Sequence, residues 1–182
     1  RRPTLGSSTP EHLARTYDGR VEHDVVYVTA NPQPLRYAAE RDEPPWHRLV
    51  SVLDEWDDGP QTVPPAATCR AVERAAERHP DKRIVGHLLQ PHAPFIGPAA
   101  ERLREETGVN IGGIEPGRSY TDAEERGVER ASYEDAVEAG ASVSDIREAY
   151  SETLHAALFE AWETARRLDG LTALTSDHGE LL

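Results

Sequence analysis

A chain of 182 residues is long enough for one domain with a substantial core, and it carries 33 acidic against 20 basic side chains, a net charge of −13. That surplus leaves no basic cluster to displace counterions from nucleic acid or to seat on an anionic membrane. The single cysteine, Cys69, excludes an intramolecular disulfide framework and a thiolate metal cluster.

No apolar run approaches the roughly 20 residues of a membrane span, and no signal-peptide pattern heads the chain. A cytoplasmic globular protein, or a piece of one, is the expectation. Lys82 is the only lysine and methionine is absent. A uniformly acidic, lysine-poor surface suits solubility in concentrated salt, where long-range repulsion is screened, and so points to a halophilic protein.

In chain order, Thr9-Pro10-Glu11-His12 reads as a helix start, with the hydroxyl as N-cap and proline at the first helical position. Asp24 to Thr29 is a β-branched run that predicts a buried strand, broken by the turn Ala30-Asn31-Pro32. Residues 46–56 alternate loosely and predict a second strand, closed by Asp57-Asp58-Gly59-Pro60. A helix opens at Val63-Pro64-Pro65 and runs to Arg78, where His79-Pro80 ends it. Arg83 to Gln90 predicts a third strand, followed by a loop in which Pro91 and Pro94 flank His92.

A short helix is expected from Ala99 to Thr107. Residues 108–141, rich in glycine and acid, read as a polar excursion from the core, with Thr121 and Glu124 spaced as a capping box. A long helix from Ser144 to Leu168 follows, its apolar face drawn through Leu154, Leu158, Ala161, Trp162, Ala165 and Leu168. After Asp169-Gly170, Leu171 to Leu174 predicts a last buried strand. Alternating strands and helices imply a single α/β domain, a mainly parallel sheet with helices on both faces. Three strand ends, at Asn31, His92 and Asp177, would then share one edge, where open α/β sheets place their sites.

The chemistry concentrates at two of those ends. Asp177-His178-Gly179 sets a carboxylate beside an imidazole at the end of an apolar run, with a glycine that lets the chain turn so that both reach one ion. A carboxylate with a neutral imidazole suits manganese, zinc or iron better than calcium. The plainer alternative is a strand-ending turn with solvated polar side chains. His92, held between two prolines, could contact an anionic substrate, protonate a leaving group or ligate a second metal; otherwise it is a loop histidine that fills space.

His87, inside the third strand, and His155, beside the apolar face of the long helix, read as structural. No nucleophile stands out: Ser7, Ser8 and Thr9 are better explained by capping, and Cys69 lies inside a helix without a Cys-x-Pro-x-Arg setting. A nucleotide-binding domain would want a glycine-rich strand-to-helix loop, which the sequence lacks.

The apolar run leading into Thr175-Ser176-Asp177-His178-Gly179-Glu180 resembles the late metal-binding motif of the alkaline phosphatase superfamily, closest to its sulfatase-like branches. The long helix with Tyr150, the His92 loop and the Val28-to-Pro32 stretch fit a sulfatase-like protein of haloarchaeal type, the resemblance covering about residues 83–182. It implies an alkaline-phosphatase-like fold, present in part. It further implies that Asp177 and His178 bind a divalent metal, manganese, zinc or magnesium ahead of calcium. His92 would face the phosphate or sulfate of an anionic small-molecule or glycan ester.

Members of this family also carry an early metal-binding acid, a serine, threonine or cysteine nucleophile and a later histidine, none of which the sequence displays. The expectation is therefore a metal-dependent hydrolase of phosphate or sulfate esters, or a fragment of one. The alternative is a non-catalytic relative that serves as a binding module.

Overall fold

A computed structural model describes residues 6–113 and 130–179, and the chain packs as two compact units. The first comprises residues 1–56, 63–89 and 159–181; the second, residues 57–62 and 90–158.

The first unit is built on a three-stranded, all-parallel sheet. β1 (Glu22–Thr29) is central, flanked by β2 (Trp46–Ser51) and β3 (Arg83–His87), giving the order β2-β1-β3. The second half of β1 is fully buried, as a strand covered on both faces must be. Its even-numbered residues Val26 and Val28 join Val50 of β2 and Ala67, Ala71, Val72 and Ala75 of α3 (Pro65–Arg78) in one core layer. Its odd-numbered residues Val25 and Tyr27 pack on the opposite face with Leu13 of α1 (Thr9–Tyr17), Tyr37 of α2 (Gln33–Ala39) and Trp46. The α/β class, the parallel sheet and the helices on both faces thus stand as expected.

Several boundaries move. The second strand stops at Ser51 and gives way to a 3-10 turn at Leu53–Glu55, and the third stops at His87 rather than Gln90. α2 follows directly on the Asn31-Pro32 turn, because the Asn31 side chain accepts the Gln33 amide at 2.9 Å and starts a helix where only a break was expected. The larger correction concerns Leu171 to Leu174. This segment pairs with no strand, and Leu171 is fully exposed. An apolar run becomes a buried strand only where a sheet edge accepts its amides and a layer covers its side chains, and here neither occurs.

Gly86 of β3 shows how closely α3 lies on the sheet. A Cβ there would stand 2.6 Å from Val72 Cγ2, so glycine is what allows the helix its approach.

The second unit contains α4 (Pro98–Thr107), α5 (Tyr133–Glu138) and the N-terminal part of α6 (Val143–Arg167), whose last turns belong to the first unit. Phe95, Ala100, Leu103, Ile111, Ala136 and Ile146 form its core. The capping box expected at Thr121 lies outside the described residues. Ser132 and Asp135 form one at the start of α5, and Ser142 and Asp145 exchange the same reciprocal bonds at the start of α6.

The buried face of α6 is not the one the large apolar residues suggest. Ile146, Ala149, Thr153, Ala157 and Thr164 are buried, while Leu158 and Trp162 are exposed. Small side chains admit closer packing, and the hydroxyls are satisfied in place: Thr153 donates to the Ala149 carbonyl at 2.8 Å and accepts the Ile96 amide at 2.9 Å. Among the described residues, no helix is long and apolar enough to cross a membrane.

Gly86→Ala is expected to destabilise the chain by about 1–3 kcal/mol through overpacking against Val72. Adding Val72→Ala should restore part of that loss. Urea denaturation of both variants checks it; additive losses would show that the two positions are not in steric conflict.

Candidate functional site

The strand order makes β1 and β3 the place where the chain direction reverses across the sheet, so their carboxyl ends flank the topological switch point of the first unit. Polar side chains from four segments of this unit gather there. α1 contributes Thr9 and His12, three residues apart and so on one helical face. β1 contributes Tyr27, and His87 is the last residue of β3. The segment after α6 brings Asp177 and His178.

Asp177 organises the group. Its Oδ2 accepts the Thr9 hydroxyl at 2.6 Å and lies 3.9 Å from His87 Nε2 and 3.8 Å from His178 Nε2. Its Oδ1 accepts the His178 amide at 3.1 Å. Burial alone would raise its pKa. The Thr9 hydroxyl, joined by the charge of the His87 and His178 imidazoles when these are protonated, outweighs that and holds it below the ordinary carboxylate value. Asp177 is therefore an anion, and a weak base.

Each of the two imidazoles beside it has its Nδ1 engaged by a neighbour. His178 Nδ1 lies 2.7 Å from the Gly179 carbonyl oxygen, which can only accept, so Nδ1 donates there and Nε2 lies on the Asp177 side, 3.8 Å from Oδ2. His87 Nδ1 lies 2.9 Å from the Tyr27 hydroxyl. Tyr27 is buried, and burial first, then Tyr17 and Asp177, push its pKa well above normal, so the phenol keeps its proton. A buried hydroxyl with this one partner donates rather than leave its proton unmade. The Nε2 of His87 then carries the ring's proton and faces the carboxylate. Burial, joined by His12 and His178 and opposed by Asp177, keeps the His87 pKa below its usual value, so the ring is neutral. His12 Nδ1 is buried with no hydrogen-bond partner in the described structure.

The expected residues Asp177 and His178 thus meet at one point, although on an exposed irregular segment rather than at a strand's end. His92 belongs to the second unit, in the exposed loop before α4, where both prolines beside it follow cis peptide bonds. Four neighbours of Asp177 escaped the sequence reading. Thr9 is the first residue of α1 rather than its cap, which is Ser8, and its hydroxyl serves Asp177. His87 read as a core residue only because the strand was drawn past it; a strand ending at His87 would have placed an imidazole at its carboxyl end. Tyr27 and His12 gave no signal separable from an ordinary core strand and a helix face.

The donor types fit a divalent metal: an ionised carboxylate and an imidazole whose distal N–H is held by a carbonyl, the usual arrangement of a metal-ligating histidine. Among the described residues, no set of three or more His, Cys, Asp or Glu side chains is grouped to hold an ion. Thr9 against Asp177 has the look of a hydroxyl with its base. The lowered pKa of the carboxylate makes it too weak to activate that hydroxyl. Cys69 is buried inside α3, and burial pushes its thiol pKa up, so it is no nucleophile.

Comparison with known proteins returned no match: no family model, no curated protein and no solved structure aligns significantly with the chain. The geometry therefore carries the functional reading.

A histidine whose folded pKa is depressed binds more protons unfolded than folded. Its penalty is absent above the unfolded value and grows as pH falls below about 6.5. In chelator, stability should fall as pH drops below that point, and His87→Gln should flatten this slope. Asp177 acts at lower pH, losing its contribution as pH falls from the ordinary carboxylate value toward its depressed one. Tyr27→Phe should cost about 1–3 kcal/mol by leaving His87 Nδ1 unsatisfied. Urea melts from about pH 2 to pH 8 measure all three; an unchanged slope in His87→Gln would contradict the burial of a neutral imidazole.

Proposed function

We propose that the first unit carries part of the divalent-metal site of a metal-dependent hydrolase acting on phosphate or sulfate esters, in an alkaline-phosphatase-like α/β fold. The observation that supports this most directly is the His178 ring. Its Nδ1–H is held by the Gly179 carbonyl, and its Nε2 is turned toward an ionised Asp177, 3.8 Å away.

Asp177 and His178 would hold the ion, manganese, zinc or magnesium in preference to calcium, with further ligands from outside the described residues, from solvent or from substrate. When bound, the metal supplies charge for the non-bridging oxygens of the ester and lowers the pKa of a nucleophile. The chain's own residues do the positioning. Thr9 and the His178 amide fix the two oxygens of Asp177, and Tyr27 holds His87 with its Nε2 proton available to an anionic oxygen.

A second reading has its own support. Asp177 is a weak base, and no activated hydroxyl or thiol occurs among the described residues, as in a relative that binds metal or ligand without turnover.

Titration of Mn²⁺ into the chain, followed by water-proton relaxation and by thermal shift, should show saturable binding. Asp177→Ala and His178→Ala should each weaken it by roughly tenfold or more. Equal binding in both variants would sink the metal site. Turnover of an aryl phosphate or sulfate by the metal-loaded chain, lost in Asp177→Ala, would establish the hydrolase. Metal binding without turnover would favour the non-catalytic reading.

A further inference from the structure

The first unit holds a second concave surface that shares no residue with the Asp177 group. A groove of about 380 Å³ opens where the edge strand β2 meets α3. That volume is within the range of small-ligand sites. Val50, Val52, Ala71 and Ala75 give it an apolar floor, and Arg48, Arg74 and Arg78 converge on it with His79. Ser51, Asp54 and Glu55 line the remainder.

The backbone explains the convergence. Arg48 is in register with Val26 and Val50 with Val28, so Arg48 projects from the face of the sheet that α3 covers. Arg74 and Arg78 lie one turn apart on α3, on the same face as Ala71 and Ala75. None of the three arginines takes part in an ion pair or hydrogen bond among the described residues. Arg15, Arg41, Arg70, Arg83, Arg102, Arg166 and Arg167, by contrast, all engage carboxylates. In a chain with 33 acids to 20 bases, partners for arginine are plentiful, yet three guanidiniums around one groove have none among the described residues; Arg20 shares that state, but singly. Arg78 sits in the last turn of α3 and also complements the helix dipole; Arg74 and Arg48 have no such compensation.

The acidic side chains bound the site rather than fill it. Glu55 is held by Arg70 at 3.2 Å, and Asp54 lies on the 3-10 turn, off the strand and helix that carry the arginines. Three planar guanidiniums offer more donors than the two oxygens of a carboxylate can accept, and suit a tetrahedral oxyanion. The apolar floor favours an organic body over a bare ion.

We infer that this groove binds a small organic phosphate or sulfate monoester, its oxyanion on Arg48, Arg74 and Arg78 and its apolar body on Val50, Val52, Ala71 and Ala75. The site is separate from the metal site proposed above and stands whether or not that reading holds.

Calorimetric titration with phenyl phosphate, phenyl sulfate and inorganic phosphate tests it, at fixed chloride concentration and with chelator present. Phenyl phosphate or phenyl sulfate should bind saturably and more tightly than inorganic phosphate, the stronger of the two esters identifying the natural headgroup. Arg48→Gln and Arg74→Gln should each weaken that binding by roughly tenfold or more. Arg20→Gln, an exposed change of the same charge, and Asp177→Ala should leave it unaltered. The proposal is overturned by the absence of saturable binding, by equal weakening in Arg20→Gln and Arg74→Gln, by loss in Asp177→Ala, or by inorganic phosphate binding as tightly as the esters.

Discussion

β1 is hydrogen-bonded along both edges and packed on both faces, and the first unit is arranged around that fact. A strand in this position offers its even residues to one layer and its odd residues to the other, so Val26 and Val28 recruit α3 while Val25 and Tyr27 recruit α1 and α2. Because all three strands are parallel, their carboxyl ends fall on one side. The order β2-β1-β3 then opens the crevice between β1 and β3 at that side.

Electrostatics at that end of the sheet turns on one half-buried carboxylate. Asp177 remains charged because a hydroxyl, joined by two imidazoles when these are protonated, outweighs its desolvation. The imidazoles are not equivalent. A backbone carbonyl holds the Nδ1–H of His178, and a phenol fixes His87 with its Nε2 proton toward the carboxylate. The second hydrogen bond of each ring thus sets which edge it turns to Asp177. The same carboxylate is a poor base, which separates holding an ion from activating a hydroxyl.

On the opposite face, α3 shows how a close helix-to-sheet approach creates a surface as well as a core. Gly86 allows the helix down onto β3, while at the β2 edge Val50 and the alanines of α3 leave a concave floor rimmed by arginines. The second unit solves its packing differently. There α6 buries Ile146 with Ala149, Ala157 and Thr153, whose hydroxyl is bonded one turn back, and leaves Leu158 exposed.

The sequence by itself determined what depends on local order. β-branched runs set β1 and the start of β3, proline and capping residues set where α1, α3 and α4 begin, and the alternation of the two predicted a parallel sheet covered on both sides. It also singled out Asp177 and His178, because adjacent chemistry is visible in one dimension. Only the tertiary structure decided whether Leu171 to Leu174 would find a sheet edge, which face of α6 would be buried, and which residues would surround Asp177. Thr9, Tyr27 and His87 are far apart in the chain, and each looks ordinary in its own segment. Their roles come from hydrogen bonds across 60 residues, between Tyr27 and His87, and 168 residues, between Thr9 and Asp177. Periodicity and propensity describe a residue's relation to its neighbours along the backbone; proton positions and carboxylate charge depend on what the fold brings alongside.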